Sequence, residues 1–381
     1  MATTLERPRT SDIIQTQIRS VPPSFAGQPP KTASDRLVSL DAYRGFIMLM
    51  LCSHGFGFPE LEGHPTYGWI ANQFEHVAWE GMVFWDLIQP AFMFMVGAAM
   101  PFAFAARIRR TGGEEGVLKH VAWRAFMLIV LSQVFISIGS GKLSFQLINV
   151  LAQISFAYML CYWIMKLPFR AQIFTAGLIL AGHWALFAMF PGSEGAFSKS
   201  DNVGAAIDGF FGLKYGGYYV TINFVSETVT TLFGVWTGYL MIEKHTHAHR
   251  MKVLAIATAA CFASGYALAI FNPMVKRLWT ASFTLASTGW VLLMLMFFYW
   301  LVEMRGRQKL AFPLVVVGMN SIFIYGLHMI LHGWLDRAVG VFTLNYEFIG
   351  TLAPVAQMTT VVAVMWYLCY WLYQRRIFLK I

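Results

Sequence analysis

Apolar residues in this chain fall in blocks of roughly 20, the length that crosses the hydrocarbon core of a bilayer, divided by short polar connections. The pattern predicts about ten spans, over 37–57, 80–106, 120–140, 144–166, 170–190, 219–242, 251–271, 279–302, 312–335 and 349–374. The apolar runs are continuous, whereas a membrane barrel strand is short and alternates in polarity. The expected fold class is therefore all-α, a polytopic transmembrane helix bundle. Only 57–79 and 191–218 are long connections, so a single transmembrane domain over 37–381 is expected. It follows a polar, proline-bearing stretch over 1–36, read as a flexible cytoplasmic tail because it lacks the apolar core of a cleavable signal.

Composition agrees, with 57% hydrophobic and 12% charged residues, and membrane lipid is the first partner implied. A net charge of +9 would suit an acidic partner, but the basic residues do not form a nucleic-acid patch. Most of the 28 Lys and Arg residues lie on the tail and alternate connections, which by the positive-inside rule puts both termini in the cytoplasm. The stretch around His76 then lies outside, as do Lys276 and Arg277. Cys52, Cys161, Cys261 and Cys369 all sit in apolar runs and read as small packing residues rather than disulfide partners. Gly234 and Gly238, four apart, mark a close helix approach, either inside the chain or in a homodimer.

Ionisable groups within spans are costly, so each is a site candidate whose partner must be named. Asp41 and Arg44, three apart on one helix, pair with each other or, with Arg124, face a cytoplasmic anion such as a nucleotide phosphate. Ser321, Tyr325, His328, His332 and Asp336 share one face of the span at 312–335. That stripe is either a hydrogen-bonded packing face or the wall of a substrate site. If the second helix has begun by residue 75, Glu80 lies one turn from His76 and orients its ring as a base. Taken alone, His76 and His54 read equally as interfacial histidines. His183 reads as a satisfied core histidine, and His245, His247 and His249 as a solvated loop with no metal. Trp69, Trp79, Trp85 and Trp279 fall near outer boundaries, where anchoring is expected, although Trp79 and Trp279 also suit stacking on a sugar.

Several segments in order carry a family pattern: Arg36–Gly45, His76-Val77-Ala78-Trp79-Glu80-Gly81, Asp86–Gly97, Leu278-Trp279-Thr280-Ala281-Ser282 and Val317–Tyr325. Together they resemble the heparan-alpha-glucosaminide N-acetyltransferase family, including its bacterial relatives of undefined substrate. The resemblance implies a multi-pass protein of a bacterial cell membrane that takes acetyl from cytoplasmic acetyl-CoA and delivers it to an extracytoplasmic saccharide, with no metal. It places the catalytic role on His76, with Asp86, Asn320 and His328 on family positions. The chain has Ser53-His54-Gly55 where relatives commonly carry an asparagine, and Gln153 where an arginine is typical.

The expected site therefore has His76, Glu80, Asp86 and His54 at the chemistry, and Arg44, Asp41, Arg124 and Asn320 toward the donor. Trp79, Trp279, Ser282, Tyr325, His328 and His332 fall toward the acceptor. His76 acts as general base or as a transient acetyl carrier, with Asn320 or Trp279 as a donor to the oxyanion. A transporter or flippase for an organic anion or lipid-linked sugar is the alternative class.

Overall fold

The computed structural model describes residues 37–111, 115–213 and 216–379; the expected tail lies outside them. Among the described residues the chain is helical, without strands beyond one isolated bridge between Gly192 and Gly195. The principal helices are α1 (Val38–Cys52), α2 (Ile88–Thr111), α3 (Glu115–Ser140), α4 (Val150–Ile164), α5 (Phe169–Met189) and α6 (Val203–Phe210). They continue as α7 (Asn223–Ile242), α8 (His247–Leu268), α9 (Ala281–Tyr299), α10 (Gln308–Met319), α11 (Ser321–Thr343) and α12 (Ala353–Gln374).

Six segments are long and apolar enough to cross a membrane: Phe84–Arg110, Gly116–Ser140, Phe169–Met189, His247–Leu268, Ala281–Met304 and Ser321–Gln374. The expectation of about ten differs for local reasons. The run at 144–166 becomes helical only at Val150, because Asn149 caps α4 by accepting from the Ala152 amide at 3.1 Å. The run at 312–335 is broken at Asn320, whose backbone leaves the helical region with φ −123° and ψ 38°. Its side-chain amide is held by the C-terminal segment, donating to the Ile377 carbonyl and accepting from the Leu379 amide.

The buried centre is built from α7 and α9, which carry hydroxyl residues where a soluble core would carry larger aliphatics. Thr228, Thr231, Thr284 and Thr288 return their hydroxyls to carbonyls four residues back. Each hydroxyl is thus satisfied within its own helix, leaving a small surface for close packing. The Glu303 carboxylate, on a single π turn after α9, accepts from the Ser39 amide at 3.0 Å and caps α1, which has no side-chain cap of its own.

Two helix crossings set the remaining geometry. At the first, α2 meets α7: a Cβ on Gly97 would lie 1.9 Å from the Thr231 carbonyl oxygen, and one on Gly234 2.0 Å from that of Phe94. Gly238 faces Ala98 and Pro101, so the glycine pair predicted from spacing is used inside the chain. At the second, α1 meets α10, and a Cβ on Gly45 would lie 1.8 Å from the Leu314 oxygen. All four cysteines are buried and free, as their apolar settings predicted.

Candidate active site

The second span does not begin at residue 75. Gly81 has φ +117°, Val83 is extended, and a short 3-10 turn over Phe84–Leu87 leads into α2. Residues 75–83 are therefore a non-helical loop, and the expected one-turn pairing of His76 with Glu80 is absent. Glu80 is exposed, with no hydrogen bond or ion pair among the described residues.

The partner of His76 is Asp86. Its Oδ1 lies 2.6 Å from His76 Nδ1, and its Oδ2 accepts from the Val83 amide at 3.3 Å. An ionised carboxylate only accepts, so the imidazole proton sits on Nδ1 and the lone pair on Nε2. Lys276 completes the cluster, with its ammonium 3.4 Å from Asp86 Oδ1 and 3.2 Å from His76 Nδ1. Two donors cannot bond each other, so Nδ1–H and the ammonium both serve the shared oxygen. Asp86 and Lys276 are almost wholly buried, whereas the His76 side chain keeps 39% exposure.

Sequence reading treated Lys276 as an outer-loop charge; the local fold turns it inward. Thr280 Oγ1 accepts from the Val275 amide and donates to the Pro273 carbonyl, which Ser282 also engages. Trp279 follows in a left-handed conformation, φ +50°. The two loops are clasped by the Gly81 amide donating to the Met274 carbonyl and by Arg277 Nη1 donating to the Ala78 carbonyl, at 2.9 and 2.8 Å.

The electrostatics favour a neutral imidazole. Burial lowers the His76 pKa below 6.5, and the Lys276 and Arg277 cations add to this against the upward pull of Asp86. Burial likewise pulls the Lys276 ammonium down to about 8, with Asp86 opposing. Glu227 is a further buried acidic side chain within reach of Lys276, one oxygen accepting from Gln89 Nε2 at 3.0 Å. Its signal was legible, an acidic residue inside the apolar run at 219–242.

The other expected site residues fall in several places. Arg44 is engaged at 2.7 Å by both Asp41 and the Gly318 carbonyl, so the mutual-pair alternative is the arrangement found. Arg124 lies over the Tyr158 ring at 4.9 Å, its buried Nε without a hydrogen-bond partner. Arg107 and Arg110 join it within electrostatic reach of His120. Trp79 donates to the Phe197 carbonyl at 3.0 Å. Trp279, expected at a boundary, is fully buried, edge-on to Phe283. Tyr325 packs on Phe135. His54, His328 and His332 meet one another, and among the described residues none of them contacts His76. Gln153 donates to the carbonyls of Leu147 and Thr221. His183 is buried as expected, but neither ring nitrogen has a hydrogen-bond partner among the described residues. The 245–249 stretch is ordered into the start of α8, with Thr246 capping and His247 bonded to the Tyr299 hydroxyl.

The features above define a class: an all-helical protein with membrane-crossing segments and a histidine–carboxylate–lysine cluster at the start of one of them. Sequence comparison narrows it. The chain is 21% identical over 449 residues to the heparan-alpha-glucosaminide N-acetyltransferase of Homo sapiens, covering 99% of this chain and 64% of that protein. It is 19% identical over 386 residues to the Mus musculus protein of the same name, covering 83% and 57%. The chain is thus a distant relative of the heparan-alpha-glucosaminide N-acetyltransferases, spanning less than two thirds of the length of either. No family model matches it.

Proposed function

We propose that the protein is an integral membrane acetyltransferase, with His76 as its base and acetyl-CoA as its donor. The observation that carries this reading is the 2.6 Å contact of His76 Nδ1 with Asp86, which leaves Nε2 as the free lone pair of a neutral, half-exposed ring. The distant relatives named as N-acetyltransferases support the same chemistry.

The acceptor, an amine or hydroxyl of an extracytoplasmic saccharide, approaches Nε2. As its heteroatom bonds to the thioester carbonyl carbon, its proton passes to Nε2 and the carbon–sulfur bond breaks. The imidazolium then returns the proton to the departing CoA thiolate. Asp86 holds the ring in the working tautomer and stabilises the transient cation, while Lys276 keeps Asp86 ionised and the resting ring neutral. An acetyl-histidine route uses the same Nε2 as nucleophile.

The donor side of this proposal lies at Arg124, Arg107 and Arg110. The Arg124 guanidinium, stacked on Tyr158 beside Arg107 and Arg110, supplies positive charge that suits a phosphate of the nucleotide end. Arg44, Asp41 and Asn320 are occupied by contacts within the bundle and act as structural supports. In a ten-span arrangement with both termini cytoplasmic, the pantetheine arm runs from the arginine cluster to an outward-facing His76. Trp79 and Ser282 flank the loops of the acceptor side.

The test is incubation of the detergent-purified protein with labelled acetyl-CoA and envelope glycans. Label on a glycan is expected. Transport of an organic anion or lipid-linked sugar into proteoliposomes, with no acetyl-CoA consumed and no loss on His76→Ala, would replace this reading with a carrier.

A further inference from the structure

We propose that His54, His328 and His332 form a three-histidine site for a transition-metal ion of the zinc class. One ligand-capable nitrogen from each ring lies within 4.8 Å of the others. The ring centroids are 4.8 Å apart for His54 and His328, 4.3 Å for His54 and His332, and 5.0 Å for His328 and His332. Zinc–nitrogen bonds of about 2.0–2.1 Å need the nitrogens closer together, a contraction of up to about 1.5 Å that side-chain rotation would supply.

The three residues reach this point by separate local devices. His328 and His332 stand one turn apart on α11 and share a face, the spacing by which a helix presents two imidazoles to one ion. His54 follows the end of α1 on four successive left-handed residues, with φ of 45° at His54, 64° at Gly55, 53° at Phe56 and 73° at Gly57. Glycine accepts such angles readily; His54 and Phe56 adopt them under strain, of the kind that clusters at ligand clamps. The result brings the His54 ring against both helix histidines.

Two buried lone pairs point to what the cluster holds. Among the described residues His328 Nδ1 and His332 Nε2 are buried and have no hydrogen-bond partner, a costly state for a polar atom that a ligated ion removes. The Cys52 backbone lies within reach of the His328 ring, an outer-shell contact of the kind that orients metal-bound histidines. Asp336, one turn beyond His332, acts electrostatically on His54 and His332 and is oriented by Gln357 Nε2 at 2.9 Å. It supplies negative charge next to a cation without being a ligand.

Three imidazoles without a carboxylate in the inner shell select nitrogen-preferring ions over calcium or magnesium, which take oxygen ligands. They also leave a fourth position for water or a substrate oxygen. The bound ion ties the end of α1 to α11. The site uses none of the atoms assigned to acetyl transfer, so either proposal can fail alone.

The test uses untagged full-length protein in detergent, stripped with a chelator, desalted and titrated with Co2+ as the spectroscopic probe. We expect one Co2+ per chain, with the visible bands of a four-coordinate site, displaced by Zn2+. Each of His54→Gln, His328→Gln and His332→Gln lowers Co2+ affinity at least about tenfold, the loss that removal of even an outer-shell partner causes. The triple variant His245→Gln, His247→Gln and His249→Gln retains the bands. His332→Cys keeps the stoichiometry and adds a sulfur-to-metal charge-transfer band, a gain that misfolding cannot produce. Absence of the bands from folded wild-type protein, or their persistence in all three single variants, overturns the proposal.

Discussion

The two histidine sites stand on equivalent foundations and solve opposite problems. The helix that follows Asp86 crosses α7 closely at Gly97 and Gly234, and the helix that leads to His54 crosses α10 closely at Gly45. At the first, two loops bring a carboxylate and an ammonium to one ring, so every charge is answered and Nε2 alone is left for chemistry. At the second, three rings gather and two buried nitrogens remain unanswered. On the two proposals the contrast lies in the neighbours of each imidazole: a carboxylate on one nitrogen suits a base, whereas a gathering of imidazoles suits a cation.

The sharpest way to break this comparison is Asp86→Asn. An amide does not enforce the Nδ1–H tautomer, so kcat/KM for acetyl transfer should fall by up to about 10⁴, the loss seen when a triad carboxylate is neutralised in a serine protease. A loss under about tenfold would assign Asp86 to folding rather than to the base. Next in size are the crossings. Gly97→Ala and Gly45→Ala should each destabilise by about 1–3 kcal/mol, seen as a lower thermal midpoint in detergent. Gly97→Ala should also reduce acetyl transfer with Co2+ binding retained, and Gly45→Ala should do the reverse. Loss of both properties in both variants would merge the two regions into one.

Lys276→Gln gives a smaller effect with a definite sign. The ammonium lowers the His76 pKa, so its removal raises that pKa and protonates the base over a wider acidic range. The acidic limb of the kcat/KM profile should move toward higher pH. An unmoved limb, or one shifted downward, would remove Lys276 from control of the base. The smallest effect belongs to Glu80→Gln, which should leave transfer within about twofold of wild type, as most exposed substitutions do. A large loss would restore Glu80 as the partner of His76.

Much of this was legible in the chain. Apolar block lengths gave an all-helical membrane protein, and the ordered segments around His76 and Asp86 led to the distant relationship that comparison supports. What failed was local register. Placing His76 on a helix made Glu80 its neighbour, whereas Gly81 and the extended Val83 delay the helix and leave Asp86, ten residues on, as the partner. Lys276 lies 200 residues from His76 in sequence, and no periodicity signals a contact made by two clasped loops. Asn320 read as one position in an unbroken span because the amide contacts that fix the break come from residues near the C-terminus. The meeting of His328 and His332 followed from helical spacing, but the arrival of His54 depended on a left-handed backbone run that composition does not reveal.

The most direct measurement is the rate of label transfer from acetyl-CoA to glycan by His76→Ala, set beside wild type in the same detergent, with the thermal midpoint of each recorded. The account predicts that His76→Ala keeps the wild-type midpoint within a few degrees and loses at least about 10²-fold in transfer, the contribution of a positioned base. Transfer by a folded His76→Ala protein at the wild-type rate would contradict it.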